Sequence, residues 1–480
     1  MKQKLYLFIA ASLVFSMMQC PNVYSQIGKR FPSEKKVIND PVTGTLLTFL
    51  TSTPAGDSKI YQTHQQWTSD AQWLIFRSGR ARNEAMAVNE KTGDIVQVTE
   101  GGYTGMLCVA RKSMKLYFLR NAPSASTTPA IPATPTVPGP PQRRGGGALQ
   151  VVEVNLINVF EDSKAGKMKP ASEYQRVCGV IPAAMNPGSD LALDADEQVV
   201  YGRVGKEEAA KHLAPGTKIE PAFGPRNMGS GPAGLISMNL KTGEIKDIVS
   251  VGFQIGHIQS NPWVSGEIVF CWETGGKAPQ RTWTVMADGT GLRPLYPEAS
   301  YEWVTHESVI TKDEVAIAIM GHRKISNSYI AGTTGTEPKG VTDPLNPGQE
   351  TGWGNSGTRE KPTGLGIINL RTREMTIAGQ TPSGSGLWHV NGSGDGRWAV
   401  GDDFSRSVYL IDRHTGEMIM LSTGHKSTAS DHTHPSFSAD GTRIEIQSAM
   451  LSEDNRSMNI CIIPVPKSWL NRKYDLVAPK

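Results

Sequence analysis

Cysteine is scarce in this chain: five in 480 residues, at positions 20, 108, 178, 271 and 461, with no CxxC pair. That spacing excludes a cysteine-built zinc site and a CxxC redox centre, and the last four read as small buried hydrophobes. An excess of one charge is also missing. Lys and Arg number 49 against 45 Asp and Glu, a formal +4, with none of the clustered basic face that nucleic acid would require. Long apolar runs are absent beyond Leu5 to Met18, which is too short and too near the terminus for a membrane span. With Lys2 and Lys4 ahead of it and Val23-Tyr24-Ser25 behind, that run reads as a signal peptide over residues 1–25. The expected location is therefore periplasmic or secreted. Gln19 immediately before Cys20 disfavours a lipid anchor there. Removing Lys2 and Lys4 leaves 47 basic against 45 acidic residues, a net +2.

Glycine and proline are plentiful, 50 and 31, which favours many turns over long helices. One unit keeps returning. A polar turn opens it before a short apolar strand, as in Thr68-Ser69-Asp70-Ala71 before Trp73, Ser393-Gly394-Asp395-Gly396 before Trp398, and Ser438-Ala439-Asp440-Gly441 before Ile444. A tight turn closes it, as in Asn89-Glu90-Lys91-Thr92-Gly93, Asn239-Leu240-Lys241-Thr242-Gly243 and Asp412-Arg413-His414-Thr415-Gly416. Seven openings at this spacing predict an all-β fold, a seven-bladed β-propeller, formed by residues 26–480 as one domain. The run Gly44 to Leu50 has no blade of its own and is expected to join the last one, closing the ring and removing an edge. Two stretches near 121–149 and 325–363 break the period and read as loop insertions in the second and fifth blades.

Six of the ten histidines, His64, His257, His306, His389, His432 and His434, stand just ahead of an opening turn. The first strand of each blade starts at the central channel, so these side chains are expected to converge. His432 and His434 are two apart, a spacing that puts both on one side of an extended segment. Any one of the six taken alone reads better as a brace between strands. Together, His306, His432 and His434 read as ligands of a divalent ion with open positions left for a substrate oxygen.

The residues resemble the oligogalacturonate lyase family, strongest in the second half. The resemblance rests on Gly256-His257 with Asn261-Pro262, Cys271-Trp272-Glu273-Thr274-Gly275 ahead of Arg281-Thr282-Trp283, Glu302-Trp303-Val304-Thr305-His306-Glu307, and His432-Thr433-His434-Pro435-Ser436-Phe437. It implies a seven-bladed propeller that cleaves uronic-acid oligosaccharides by metal-assisted β-elimination. It further implies Mn2+ held by His306, His432 and His434, with His257 as base. Arg281 matches an arginine of the family and is expected to act beside His257; His389, His64, Gln259, Asn261 and Arg226 are expected to contact substrate. Two positions depart from the family. Its metal-site glutamine corresponds to Ala429 and its catalytic arginine to Gly234, which marks a divergent branch with room for another uronide. A non-catalytic propeller resembling the β-domain of TolB is the competing expectation, and the histidine cluster is the feature that separates the two.

Overall fold

The computed structural model describes residues 26–123, 147–222, 228–274, 278–298, 302–322, 363–380 and 386–474. The signal peptide, most of both loop insertions and Arg226 lie outside them. Seven antiparallel sheets form a seven-bladed β-propeller. The innermost strands are Ser58–Lys59, Thr104–Val109, Leu191–Leu193, Ile255–Ser260, Glu302–Thr311, Val390–Gly392 and Ser436–Phe437, one for each of blades 1 to 7 in chain order.

The repeated turns explain why the blades form where they do. In each closing turn the Asn or Asp side chain accepts two backbone N–H groups: Asn89 from Lys91 and Thr92, Asn239 from Lys241 and Thr242, Asp412 from His414 and Thr415. The glycine that follows takes a left-handed conformation, at φ +77° for Gly93 and +76° for Gly243. Three opening turns are tied by a hydroxyl on an aspartate, Thr68 to Asp70, Ser393 to Asp395 and Ser438 to Asp440. The apolar sides of neighbouring blades meet in buried clusters, so the core is a ring of interfaces rather than one centre. The four cysteines past residue 25 are free and buried within it.

The N-terminal segment closes the ring. Leu46–Phe49 pairs with the Asn459–Pro464 strand at Thr48↔Ile462 and Phe49↔Cys461, and Lys36–Asn39 pairs outside it. Arg30–Phe31 adds to the outer edge of blade 1, so one segment ties the last blade to the first. The gap between Asn121 and Leu149 joins the second and third strands of blade 2, and that between His322 and Gly364 does the same in blade 5. Among the described residues no helix is long and apolar enough to cross a membrane.

Phe49 is fully buried in the closing strand. Phe49→Ala should lower unfolding stability by about 3–5 kcal/mol, read as a drop in denaturant midpoint at unchanged slope. A loss under about 1 kcal/mol would mean that the ring holds without this strand.

Candidate metal and acid–base site

Blade 1 departs from its repeat in the first strand. Lys59 pairs with Phe76 and Trp67 bridges to Leu74, so the residues between leave the sheet and return to it. They cross the channel. The Gln62 carbonyl accepts from Asn391 Nδ2 of blade 6 at 3.0 Å, and His64 Nε2 lies 2.8 Å from the Leu191 carbonyl of blade 3. Tyr61 stands in the middle, with its ring 5.1 Å from that of His257, 5.2 Å from His434, 6.2 Å from His389 and 6.5 Å from His306. Its hydroxyl is buried without a hydrogen-bond partner.

Around Tyr61 the structure brings together five of the six histidines. His389 is the hub, its ring 3.7 Å from His434, 4.4 Å from His306 and 5.3 Å from His432. His257 lies 5.9 Å from His306. Backbone strain aims three of them. His257, His306 and His434 have φ of +49°, +38° and +49°, a region that costs a non-glycine residue about 1–3 kcal/mol. His257 and His306 sit where the strand register shifts, between Gly256 and Gln259 and between Thr305 and Glu307. Such a bulge re-aims a side chain that strict alternation would point elsewhere. The expectation that His432 and His434 share one side of an extended segment is corrected. Strand pairing starts only at Ser436, and His434 is in the left-handed region. Both rings still reach His389, by separate routes.

Asp402 organises this half of the site. Its Oδ1 accepts from the His389 backbone N–H and faces Nδ1 at 3.1 Å; its Oδ2 accepts from the backbone N–H groups of Thr433 and His434 and from the Thr433 hydroxyl. With a carboxylate on Nδ1, His389 presents Nε2 to the channel. Burial, with the nearby His434, pushes the His389 pKa down to about 3 against the opposing pull of Asp402, so its ring is neutral at any physiological pH. Burial and the neighbouring His389 likewise hold His306 well below its ordinary value. Neutral imidazoles are what a divalent ion binds. Two donors are free for one: His432 Nδ1 and His434 Nε2 are buried without hydrogen-bond partners. His389, Asp402 and His432 also place one ligand atom each within 4.8 Å of one another.

The other half of the site is an acid–base cluster. The Glu307 carboxylate, fully buried, holds Arg281 Nε at 3.0 Å through Oε2 and lies 3.2 Å from His257 Nδ1 through Oε1. Arg281 Nη2 is 3.2 Å from the same ring nitrogen, and Glu273 lies 3.5 Å from His257 Nε2. Burial alone would depress the His257 pKa, but Glu307 more than offsets it and the value lies above the ordinary one.

The remaining expected contacts fall differently. Both ring nitrogens of His64 are engaged, with Thr63 and Leu191, and burial takes its pKa down to about 4. Gln259 bridges to the Glu307 carbonyl and the Val309 N–H, and Asn261 to Glu267, Lys312 and Trp263. The amides of Gln259 and Asn261 thus brace blade 4 against blade 5. Ala429 packs with Ala449 and Met458. Gly234 lies in the third strand of blade 3, where an added Cβ would come 2.9 Å from Val204 Cγ2, so any side chain there would have to displace its neighbours. Tyr61, Gln62, Asp402, Asp431 and the Trp388–Phe404 pair beside His432 went unread from sequence. Glu307 was visible only as a neighbour of His306. A further cluster, Glu208, His212 and Asp247, is on the surface, with Lys211 already on Glu208 at 2.6 Å.

The fold has known counterparts. It is similar to that of oligogalacturonate lyases. One, described as in complex with manganese, matches with a TM-score of 0.65 and 17% identity, over 93% of this chain and 100% of the other. A second, from Vibrio parahaemolyticus, matches with a TM-score of 0.65 and 16% identity, over 92% of this chain and 100% of the other. No family model matches the chain, and no curated protein matches it by sequence.

Glu307→Gln removes the charge that holds the His257 pKa up and leaves burial and Arg281, which both lower it. An NMR titration of the His257 ring should show its pKa fall in this variant. A rise, or no change, would contradict the electrostatic account.

Proposed function

We propose that this chain is a divalent-metal-dependent lyase that cleaves uronic-acid oligosaccharides, of the pectin-derived kind, by β-elimination. The observation that carries the reading is one acid–base histidine, His257, standing 5.9 Å ring to ring from the cluster of His306, His389, His432 and His434. The fold likeness to oligogalacturonate lyases supports it.

The proton at C5 of a uronate is weakly acidic because it adjoins the carboxylate. Glu307, 3.2 Å from Nδ1, holds the His257 pKa up, and the neutral ring takes that proton. The electron pair forms the C4–C5 double bond, the C4–O bond breaks, and the departing oxygen gains a proton from water. Arg281, pinned by Glu307, keeps positive charge beside the base. His306, His432 and His434 would hold the ion, with His389 among them; an ion there, Mn2+ in our reading, offsets the charge that builds on the substrate carboxylate. Trp388 and Phe404 offer a sugar an apolar face. The leader-like N-terminus supports a periplasmic or secreted site of action.

The test is incubation with a panel of uronide oligosaccharides and Mn2+, following the ultraviolet absorbance of the unsaturated product. His257→Ala should bind the ion normally and lose about 10²–10⁴-fold in turnover; near-parental turnover would remove His257 from the mechanism. Because the base must be neutral, the rate should rise with pH through a pKa above the ordinary histidine value of about 6.5. In Glu307→Gln that limb should move to lower pH. A limb that stays put would detach Glu307 from the base.

A further inference from the structure

His434 is placed in a way that hydrogen bonding alone leaves unresolved. Its Nδ1 lies 2.8 Å from the Gln62 carboxamide oxygen, an acceptor, so this nitrogen carries the proton. In the neutral ring Nε2 is then a bare lone pair. That lone pair faces another acceptor, Asp431 Oδ2, at 3.0 Å, and Nε2 has no hydrogen-bond partner. Nε2 and Oδ2 thus stand 3.0 Å apart with no hydrogen-bond geometry between them.

We infer that Asp431 is a ligand of the divalent ion, bound beside His434 Nε2, and that Gln62 is the positioning residue that turns His434 toward the ion. The inference rests on the ion site proposed above and adds a carboxylate to its histidines. Two donors each about 2.1 Å from one ion and at a right angle to each other stand about 3.0 Å apart, which is the separation of Nε2 and Oδ2. The carboxylate is already held for the task. Oδ1 accepts the His432 backbone N–H at 2.8 Å, and Oδ2 accepts from Gln447 Nε2 at 3.2 Å, while the same amide nitrogen donates to the His432 carbonyl. Asp431 is also 55% exposed on its side chain, whereas His434 is 6% exposed, so the ion has a path in from solvent past its first ligand. A charged oxygen donor here would fill the coordination that Ala429, buried among Ala449 and Met458, has no atom to supply.

The experiment titrates the protein with Mn2+ by electron paramagnetic resonance and measures water-proton relaxation per bound ion, for the parent, Asp431→Asn, Asp431→Ala and Gln62→Leu. Losing an outer partner that only orients a ligand costs about 10–100-fold in metal affinity. Gln62→Leu should fall in that range with relaxation unchanged. Asp431→Asn should lose more than Gln62→Leu, and Asp431→Ala at saturating Mn2+ should show stronger relaxation as a water replaces the carboxylate. All should melt with the parent. An Asp431→Asn variant that binds within about tenfold of the parent, below even the outer-partner range, overturns the assignment; so does unchanged relaxation in Asp431→Ala. A parent that binds no Mn2+ would instead remove the ion site itself, and this inference with it.

Discussion

The buried carboxylate of Asp402 is the interaction on which the histidine cluster depends. It lies on the second strand of blade 6 and accepts from the chain ahead of two inner strands, His389 of blade 6 and Thr433–His434 of blade 7. Burial would raise its pKa, yet the histidines and N–H donors around it hold it well below the ordinary carboxylate value. It therefore stays charged where an unpaired charge would be costly. The same bonds that join two blades also fix the tautomer of His389 and the approach of His434. Structure and site are here one set of contacts.

The positive φ values of His257, His306 and His434 show a second constraint. Each is a conformation that an L-residue avoids, and each belongs to an imidazole turned toward Tyr61. Strain of this kind persists only where surrounding contacts over-determine it. For His257 those contacts are Glu307 and Arg281; for His434 they are Gln62 and Asp402. The channel segment from blade 1 supplies Tyr61 and Gln62 to this packing, so the site draws on blades 1, 4, 5, 6 and 7 at once.

The fold was legible because its signals are local. An Asn or Asp that accepts two N–H groups, followed by a left-handed glycine, recurs in blades 1, 3 and 6, and it can be read from five consecutive residues. Closure by Leu46–Phe49 followed from a strand with no blade of its own. The convergence of histidines was legible from their place before each opening turn. Hidden features depend on distant partners or on backbone irregularity. Ile60 to Gln66 has nothing in its sequence to mark a crossing of the channel; its partners Asn391 and His434 lie more than 300 residues away. The family resemblance implied that Gln259 and Asn261 contact substrate. A bulge there separates their directions, and their amides are used between blades. Asp402 and Asp431 are ordinary acidic residues in sequence and gain meaning only from what faces them.

The central claim is that the histidines at the mouth of this channel form an ion site. A crystal grown with Mn2+ and measured near the manganese absorption edge tests it most directly. An anomalous peak should lie among His306, His432 and His434, within about 2.0–2.3 Å of their ring nitrogens. Manganese at the surface cluster of Glu208, His212 and Asp247 alone, or no peak in the channel at saturating ion, would contradict the account.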